Sequence, residues 1–497
     1  MAALKCINAY YVDSTKPGKL TEYAIMGMLK ELDPHSAYLS KEEIKEANEP
    51  LQGSFDGIGV QFQILNDTIF VVAVITGGPS EKLGILSGDK IVKIEGEDAT
   101  GMKVNNSWVL KKLRGTKGTI VKVGISRRGE KNILDFNITR DKIPIYSVDA
   151  AFMATSETGY IKLERFATTS INEFNNALTK LKEKGAKNLI LDLRGNSGGY
   201  LNTAVELADE FIERNKTIVY TEGLNSSRQY YKSTSKGNFK NGKLIVLIDE
   251  GSASASEIVS GAIQDWDRGL IIGRRSFGKG LVQRPFDLTD GSVIRLTTAR
   301  YYTPTGRCIQ KSYKQGVDKY FEDIAKRVEK RELYNSDSIH FPDSLKYYTP
   351  GKRLVYGGGG IMPDIFIPLD TSESSKYLTD LYRKGVFNQF TLEYVYNNKK
   401  ELLEKYPSIE VFKKNFNVDD DFLKTFIKYA EKKEVKKDDK GIKTSERVIV
   451  TQIKALFARN LFDMSAYFEV VSDVDKTFQK AIDVLQDNTF RKMKIQE

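Results

Sequence analysis

Five consecutive apolar residues, Leu244-Ile245-Val246-Leu247-Ile248, run directly into Asp249-Glu250-Gly251-Ser252-Ala253-Ser254-Ala255-Ser256-Glu257-Ile258. An apolar, mostly β-branched run of this length reads as a strand covered on both faces, which calls for a layered core. Gly251 permits a sharp turn after it. The small residues that follow crowd a helix N-terminus, where unpaired N–H groups and the positive end of the helix dipole point outward. A serine there is a helix cap. It is equally a hydroxyl on a tight elbow beside N–H groups able to hold an oxyanion. Ser252, Ser254 and Ser256 compete for that second role.

The surroundings agree with a layered core. Between residues 147 and 310, strands at 159–163, 188–193, 216–220, 244–248 and 270–273 alternate with helices at 171–184 and 201–212, a βα pattern. A polar loop is expected at 223–241. Residues 1–52 read as helical, interrupted where Asp33-Pro34 ends a helix; His35 follows in that turn and is read as structural. Residues 53–142 switch to short strands with glycine turns, the size of one small domain. Residues 311–348 are highly charged and partly helical, and 371–497 are helical throughout, with a solvated mixed-charge stretch at 431–440.

Composition removes several classes of function. At 497 residues, two to four domains are expected. The net charge of +10 comes from 76 basic and 66 acidic residues mixed along the chain, a solvated surface with no concentrated basic stripe for nucleic acid. No apolar run approaches a membrane span. Cys6 and Cys308 give neither metal spacing nor a disulfide framework. No secretory signal heads the sequence, so the chain is either cytoplasmic or has been separated from an export signal. Only His35 and His340 are available to a zinc hydrolase or a Ser-His-Asp triad. A serine nucleophile here therefore needs another base. Lysine serves if burial or neighbouring positive charge keeps it neutral, and the candidate is Lys279, between Gly278 and Gly280.

Two resemblances follow from longer motifs. The Gly57-Ile58-Gly59 loop, the short helix Ser80-Glu81-Lys82-Leu83-Gly84 and Leu86-Ser87-Gly88-Asp89-Lys90-Ile91 resemble a PDZ domain. The loop Gly57, Ile58, Gly59 and Val60 would then bind a terminal carboxylate through its N–H groups while a peptide pairs with the strand edge. Gly251 to Ile258 and Ser276-Phe277-Gly278-Lys279-Gly280-Leu281-Val282-Gln283 resemble the paired motifs of carboxyl-terminal processing proteases, also called tail-specific proteases. Further matches are Gly159-Tyr160-Ile161 with Arg165-Phe166, Asp192-Leu193-Arg194-Gly195-Asn196-Ser197-Gly198-Gly199 and Tyr301-Tyr302-Thr303-Pro304-Thr305-Gly306-Arg307. Asp33-Pro34-His35-Ser36 and Gly360-Ile361-Met362-Pro363-Asp364 also fit, all in the family's order.

The resemblance implies a multidomain α/β and α+β protein. It has a helical N-terminal segment (1–52), a PDZ domain (53–142), a layered α/β peptidase core of the crotonase/Clp-protease type (143–370) and a helical C-terminal extension (371–497). It implies a Ser-Lys serine endopeptidase whose PDZ domain recognises substrate C-termini, with no metal or cofactor. In the family pattern the lysine stands twenty-five positions after the serine, which selects Ser254 and leaves Ser252 and Ser256 as cap or packing residues. Gln283 matches the family's glutamine and would orient the Lys279 amine if that segment is helical. Oxyanion donors are implied at the Ala255 N–H and at the Gly198-Gly199 turn. The implied partners are proteins with exposed C-termini, with room for a homodimer and an adaptor protein. The implied compartment is a cell envelope or periplasm. A PDZ scaffold with an inactive core and a serine esterase or amidase are the alternatives.

Overall fold

The computed structural model describes residues 2–496 except Asn66, Thr76, Met102 and Lys103. The chain divides into two compact units, one made of Met1–Gln52, Ser147–Leu369 and Lys476–Glu497, the other of Gly53–Tyr146 and Asp370–Asp475.

The first unit is built on a six-stranded sheet in the order Val148–Met153, Thr158–Leu163, Asn188–Asp192, Leu244–Ile248, Leu270–Gly273, Ile365–Phe366. The first pair is antiparallel and every later pair is parallel. The strand Leu244–Ile248 lies inside this order, and all five of its residues are fully buried. Each such side chain contributes about 1.5–3 kcal/mol by leaving water. Helices Ser170–Glu183, Leu201–Asp209 and Ala255–Asp265 supply Phe174, Leu207 and Val259 to the same core. Parallel strands that emerge in register leave their following loops at one sheet edge, where open α/β sheets place their sites.

A second, antiparallel sheet belongs to the same unit. The long strand Val293–Tyr302 pairs with Ala37–Leu39, with Thr217–Gly223 and with Leu281–Asp287, and Ser226–Lys232 extends the sheet beyond Thr217–Gly223. Two expectations change here. Seven of the nineteen residues of the polar loop expected at 223–241 form the strand Ser226–Lys232, whose mostly exposed residues give no apolar alternation to read. The segment carrying Gln283 is the strand Leu281–Asp287, not a helix; among the described residues it pairs only with Val293–Tyr302, and Pro285 is tolerated on such an edge.

The second unit contains an antiparallel sheet in the order Val60–Leu65, Thr68–Val74, Lys90–Ile94, Ile120–Ser126, Leu134–Thr139, with the helix Asn106–Leu113 beside it. Ile69, Ile91, Val109, Val121 and Ile125 form its core. The strand Val60–Leu65 is an edge. Six helices from Lys376–Arg383 to Met464–Val471 enclose a second, aromatic-rich core around Phe387, Phe390, Phe412 and Phe426. Within this unit Phe70 meets Tyr396 edge-on, and Arg128 donates to the Asn397 carbonyl at 3.2 Å.

Candidate active site

The strand Leu244–Ile248 delivers the chain to the elbow foreseen in the sequence, but the strain sits elsewhere. The left-handed residue is Ser254 itself, with φ 55° and ψ −111°, whereas Gly251 does not take a positive φ. Gly251 is instead a close approach, since a Cβ there would lie 3.0 Å from the Gly195 Cα. A non-glycine residue in such a conformation costs about 1–3 kcal/mol, which the surrounding bonds must offset. They are dense. Ser252 Oγ donates to the Leu193 carbonyl at 2.8 Å, Ser256 Oγ to the Asn196 carbonyl at 2.8 Å, and the Ala253 N–H to that same carbonyl at 3.0 Å. Ser252 and Ser256 are fully buried by these bonds. Ser254 is only half-buried and lines a cleft of about 610 Å³.

Lys279, Gln283, Ala255, Gly198 and Gly199 line the same cleft. Lys279 Nζ donates to Gln283 Oε1 at 3.5 Å. Among the described residues no hydrogen bond joins Lys279 Nζ to the Ser254 hydroxyl, and a contact of this kind often tightens only around substrate. Burial pushes the Lys279 pKa down from the ordinary lysine range. The Arg295 guanidinium pushes it the same way, while Glu257 and Asp33 pull it up.

The glycine turn is pressed against the elbow. A Cβ at Gly198 (φ 106°) would lie 2.8 Å from the Ser254 Cβ and 3.0 Å from the Ala255 N. The two glycine amides differ. The Gly198 N–H is taken by Asn196 Oδ1 at 2.9 Å, whereas among the described residues the Gly199 and Ala255 N–H groups make no hydrogen bond. Those two are the donors open to an oxyanion, and the first-turn amide of a helix is open by construction.

Several residues that the sequence reading left without a role hold the two halves together. Glu257 is fully buried and accepts four hydrogen bonds: from Ser254 N (2.8 Å), Ser276 Oγ (2.5 Å), Gly278 N (2.7 Å) and Lys279 N (2.8 Å). Burial raises its pKa, and those bonds oppose the rise. The Ser-x-x-Glu spacing of Ser254 and Glu257 was the readable signal, since a glutamate at the third helical position reaches back to the cap amide. The buried Tyr301 hydroxyl lies 2.6 Å from the Lys279 carbonyl and 3.0 Å from that of Ser254. Arg327, on the helix Asp323–Glu329, donates to the carbonyls of Ser276 (2.8 Å) and Phe277 (3.1 Å). Asp192 is held by Arg194 and Tyr160, and its pKa is lowered to about 2 as attraction to Arg194 and Lys162 overcomes its burial.

In the other unit, Gly57, Ile58 and Gly59 are buried and lead into the edge strand that begins at Val60. Gly59 takes φ 75°, and the Ile58 carbonyl accepts from both Ser80 N (3.2 Å) and Ser80 Oγ (2.6 Å). This fastens the loop to the short helix Pro79–Lys82.

Three family descriptions match: "Peptidase family S41" over residues 157–321, "PDZ domain" over 57–138 and "Family of unknown function" over 377–463. The chain is 37% identical over 350 residues to the carboxy-terminal processing protease CtpA of Bacillus subtilis, covering 70% of this chain and 72% of that protein. It is 38% identical over 383 residues to a carboxy-terminal-processing protease of Bartonella bacilliformis, covering 76% and 85%. Among solved structures it is similar to a photosystem II D1 C-terminal processing protease. That likeness is at 27% identity over 74% of this chain and 92% of the other, with a TM-score of 0.38.

Proposed function

The chain belongs to the carboxy-terminal processing proteases, serine peptidases that carry a PDZ domain, and from that premise we propose a Ser-Lys endopeptidase acting on protein C-termini. Ser254 is the nucleophile, Lys279 the base and Gln283 the group that orients the amine. The observation that carries this reading is one cleft wall bearing both a strained, half-buried serine and a lysine whose pKa is pushed down by burial and Arg295.

Neutral Lys279 takes the Ser254 proton as Oγ bonds to the peptide carbonyl carbon. The carbonyl oxygen becomes an oxyanion, received by the Ala255 N–H and the Gly199 side of the Gly198-Gly199 turn. Losing one such donor typically costs about 3 kcal/mol. The C–N bond then breaks, and the lysinium gives its proton to the leaving amine. Water, deprotonated by the same lysine, attacks the acyl-enzyme; the ester C–Oγ bond breaks, and the lysinium returns the proton to Ser254 Oγ, leaving Lys279 neutral. Every proton is accounted for by Lys279.

The segments 1–52, 53–142, 143–370 and 371–497 act as N-terminal helices, PDZ domain, peptidase core and helical extension. The loop Gly57 to Val60 takes the terminal carboxylate, and the edge Val60–Leu65 pairs with the substrate tail. Among the described residues no helix is long and apolar enough to cross a membrane. The substrates are cell-envelope proteins with exposed apolar C-termini.

The test uses the purified chain and an unfolded polypeptide with an apolar C-terminus. Cleavage is expected in the wild type and lost, by roughly 10⁴-fold or more, in both Ser254→Ala and Lys279→Ala. Cleavage surviving both substitutions contradicts the assignment. Turnover of small esters with peptides left intact favours an esterase instead.

A further inference from the structure

The motif Asp33-Pro34-His35-Ser36 enters the account above only through the pull of Asp33 on the Lys279 pKa, yet the fold brings it to the Gln283 amide. Gln283 Nε2 donates to the His35 carbonyl at 2.7 Å. A backbone carbonyl only accepts, so it must face the amide's NH₂ and not its oxygen. That fixes which way the amide points: Oε1 is left toward Lys279 Nζ, 3.5 Å away.

The turn that presents this carbonyl is itself bound on every side. Asp33, only 7% exposed, accepts from His35 N (2.8 Å), Ser36 N (3.0 Å), Ser36 Oγ (2.5 Å) and Thr297 Oγ1 (3.0 Å). Ser36 Oγ accepts in turn from Thr297 N at 3.0 Å. Thr297 stands opposite Gln283 in the ladder between Leu281–Asp287 and Val293–Tyr302. The turn and the glutamine are thus referenced to the same residue of the same strand. The His35 ring contributes packing and not charge: burial and the nearby Lys279 lower its pKa to about 4, and Nε2 lies 2.9 Å from the Tyr320 hydroxyl.

We propose that the Asp33–Ser36 turn is a positioning element of the active site, setting the Gln283 amide through the His35 carbonyl so that Oε1 faces the Lys279 amine. A neutral amine has two N–H bonds and one lone pair. Donating one N–H to a fixed acceptor restricts rotation about the Cε–Nζ bond and narrows the directions open to the lone pair that takes the serine proton. Asp33 and Ser36 act through Gln283, and Gln283 acts through Lys279.

The proposal rests on the Ser254-Lys279-Gln283 reading, and a double-mutant cycle separates the two. Steady-state cleavage of the unfolded polypeptide is measured for full-length Asp33→Ala, Gln283→Ala and the double variant, with Lys279→Ala as reference. Asp33→Ala is expected to lower kcat by roughly 10- to 100-fold with little change in KM. It should cost almost nothing further in the Gln283→Ala background. Asp33→Asn keeps a side-chain carbonyl for the His35, Ser36 and Thr297 donors and is expected to retain most of the activity. Equal losses from Asp33→Ala in both backgrounds would overturn the positioning role while leaving the catalytic assignment standing. Full activity in Lys279→Ala would overturn the assignment itself. Should Asp33→Ala fail to fold, Thr297→Val removes one bond to Asp33 and is carried through the same cycle, with the same non-additivity expected and additivity contradicting it.

Discussion

The Ser254 elbow and the Lys279 loop are built in opposite ways. The elbow is a product of the sheet. A fully buried strand ends, backbone and neighbouring hydroxyls bind the turn, and Ser254 is forced into a left-handed conformation within a few residues of the strand. The loop at Ser276 to Gly280 has no regular structure of its own. It is suspended from side chains that arrive from elsewhere: Glu257 takes its N–H groups, Arg327 holds its carbonyls, and Lys311 stacks over the Phe277 ring at 3.9 Å. Strain can be stored in the first because the sheet over-determines it. The second can be retuned by altering residues that never reach the cleft. Glu257 and Tyr301 couple the two.

Substitutions on each side should separate these designs. Gly198→Val places a branched side chain at φ 106°, against the Ser254 Cβ. It should cost roughly 3 kcal/mol of stability and nearly all activity together, read by denaturant unfolding and peptide cleavage. Glu257→Gln turns an NH₂ group toward backbone N–H donors on one side of the carboxylate. Each donor left without an acceptor costs about 1–3 kcal/mol, and kcat should fall by roughly 100-fold as elbow and loop lose their common reference. Arg327→Met keeps the buried stem but releases the loop carbonyls. A fall in kcat of about 10-fold with a small change in unfolding midpoint is expected; a stability loss as large as that of Gly198→Val would show that the loop is not suspended in this way. The smallest effect is electrostatic. Arg295→Gln removes a cation that lowers the Lys279 pKa. Because the base acts when neutral, the acid limb of kcat/KM should move to higher pH, with the alkaline plateau little changed. Movement to lower pH would contradict the sign.

The same contrast explains what could be read from the sequence. The strand, the turn, the small residues and Glu257 of the elbow are contiguous, so their pattern is visible in fifteen residues. The partners of the loop are not. Gln283 and His35 are 248 residues apart, and Arg327 and Ser276 are 51 apart. Arg327 also lies in a charged stretch that composition alone describes as a solvated surface. Gln283 is placed by its match to the family's glutamine, with a shared face only if the segment is helical, yet it reaches the amine from an extended strand. Gly251 reads only as permitting a sharp turn, and nothing in the sequence marks where a positive φ falls. It fell on Ser254, where local propensity opposes it and only tertiary bonds explain it.

The most direct measurement is the pH dependence of Ser254 modification by a serine-reactive fluorophosphonate, with the labelled residue located by peptide mass spectrometry. The label should fall on Ser254, and its rate should rise with pH to a plateau reached below the ordinary lysine pKa of about 10.4. That rise should disappear in Lys279→Ala. A label on Ser252, Ser256 or a residue outside the cleft would contradict the assignment, as would a rate unaffected by loss of Lys279.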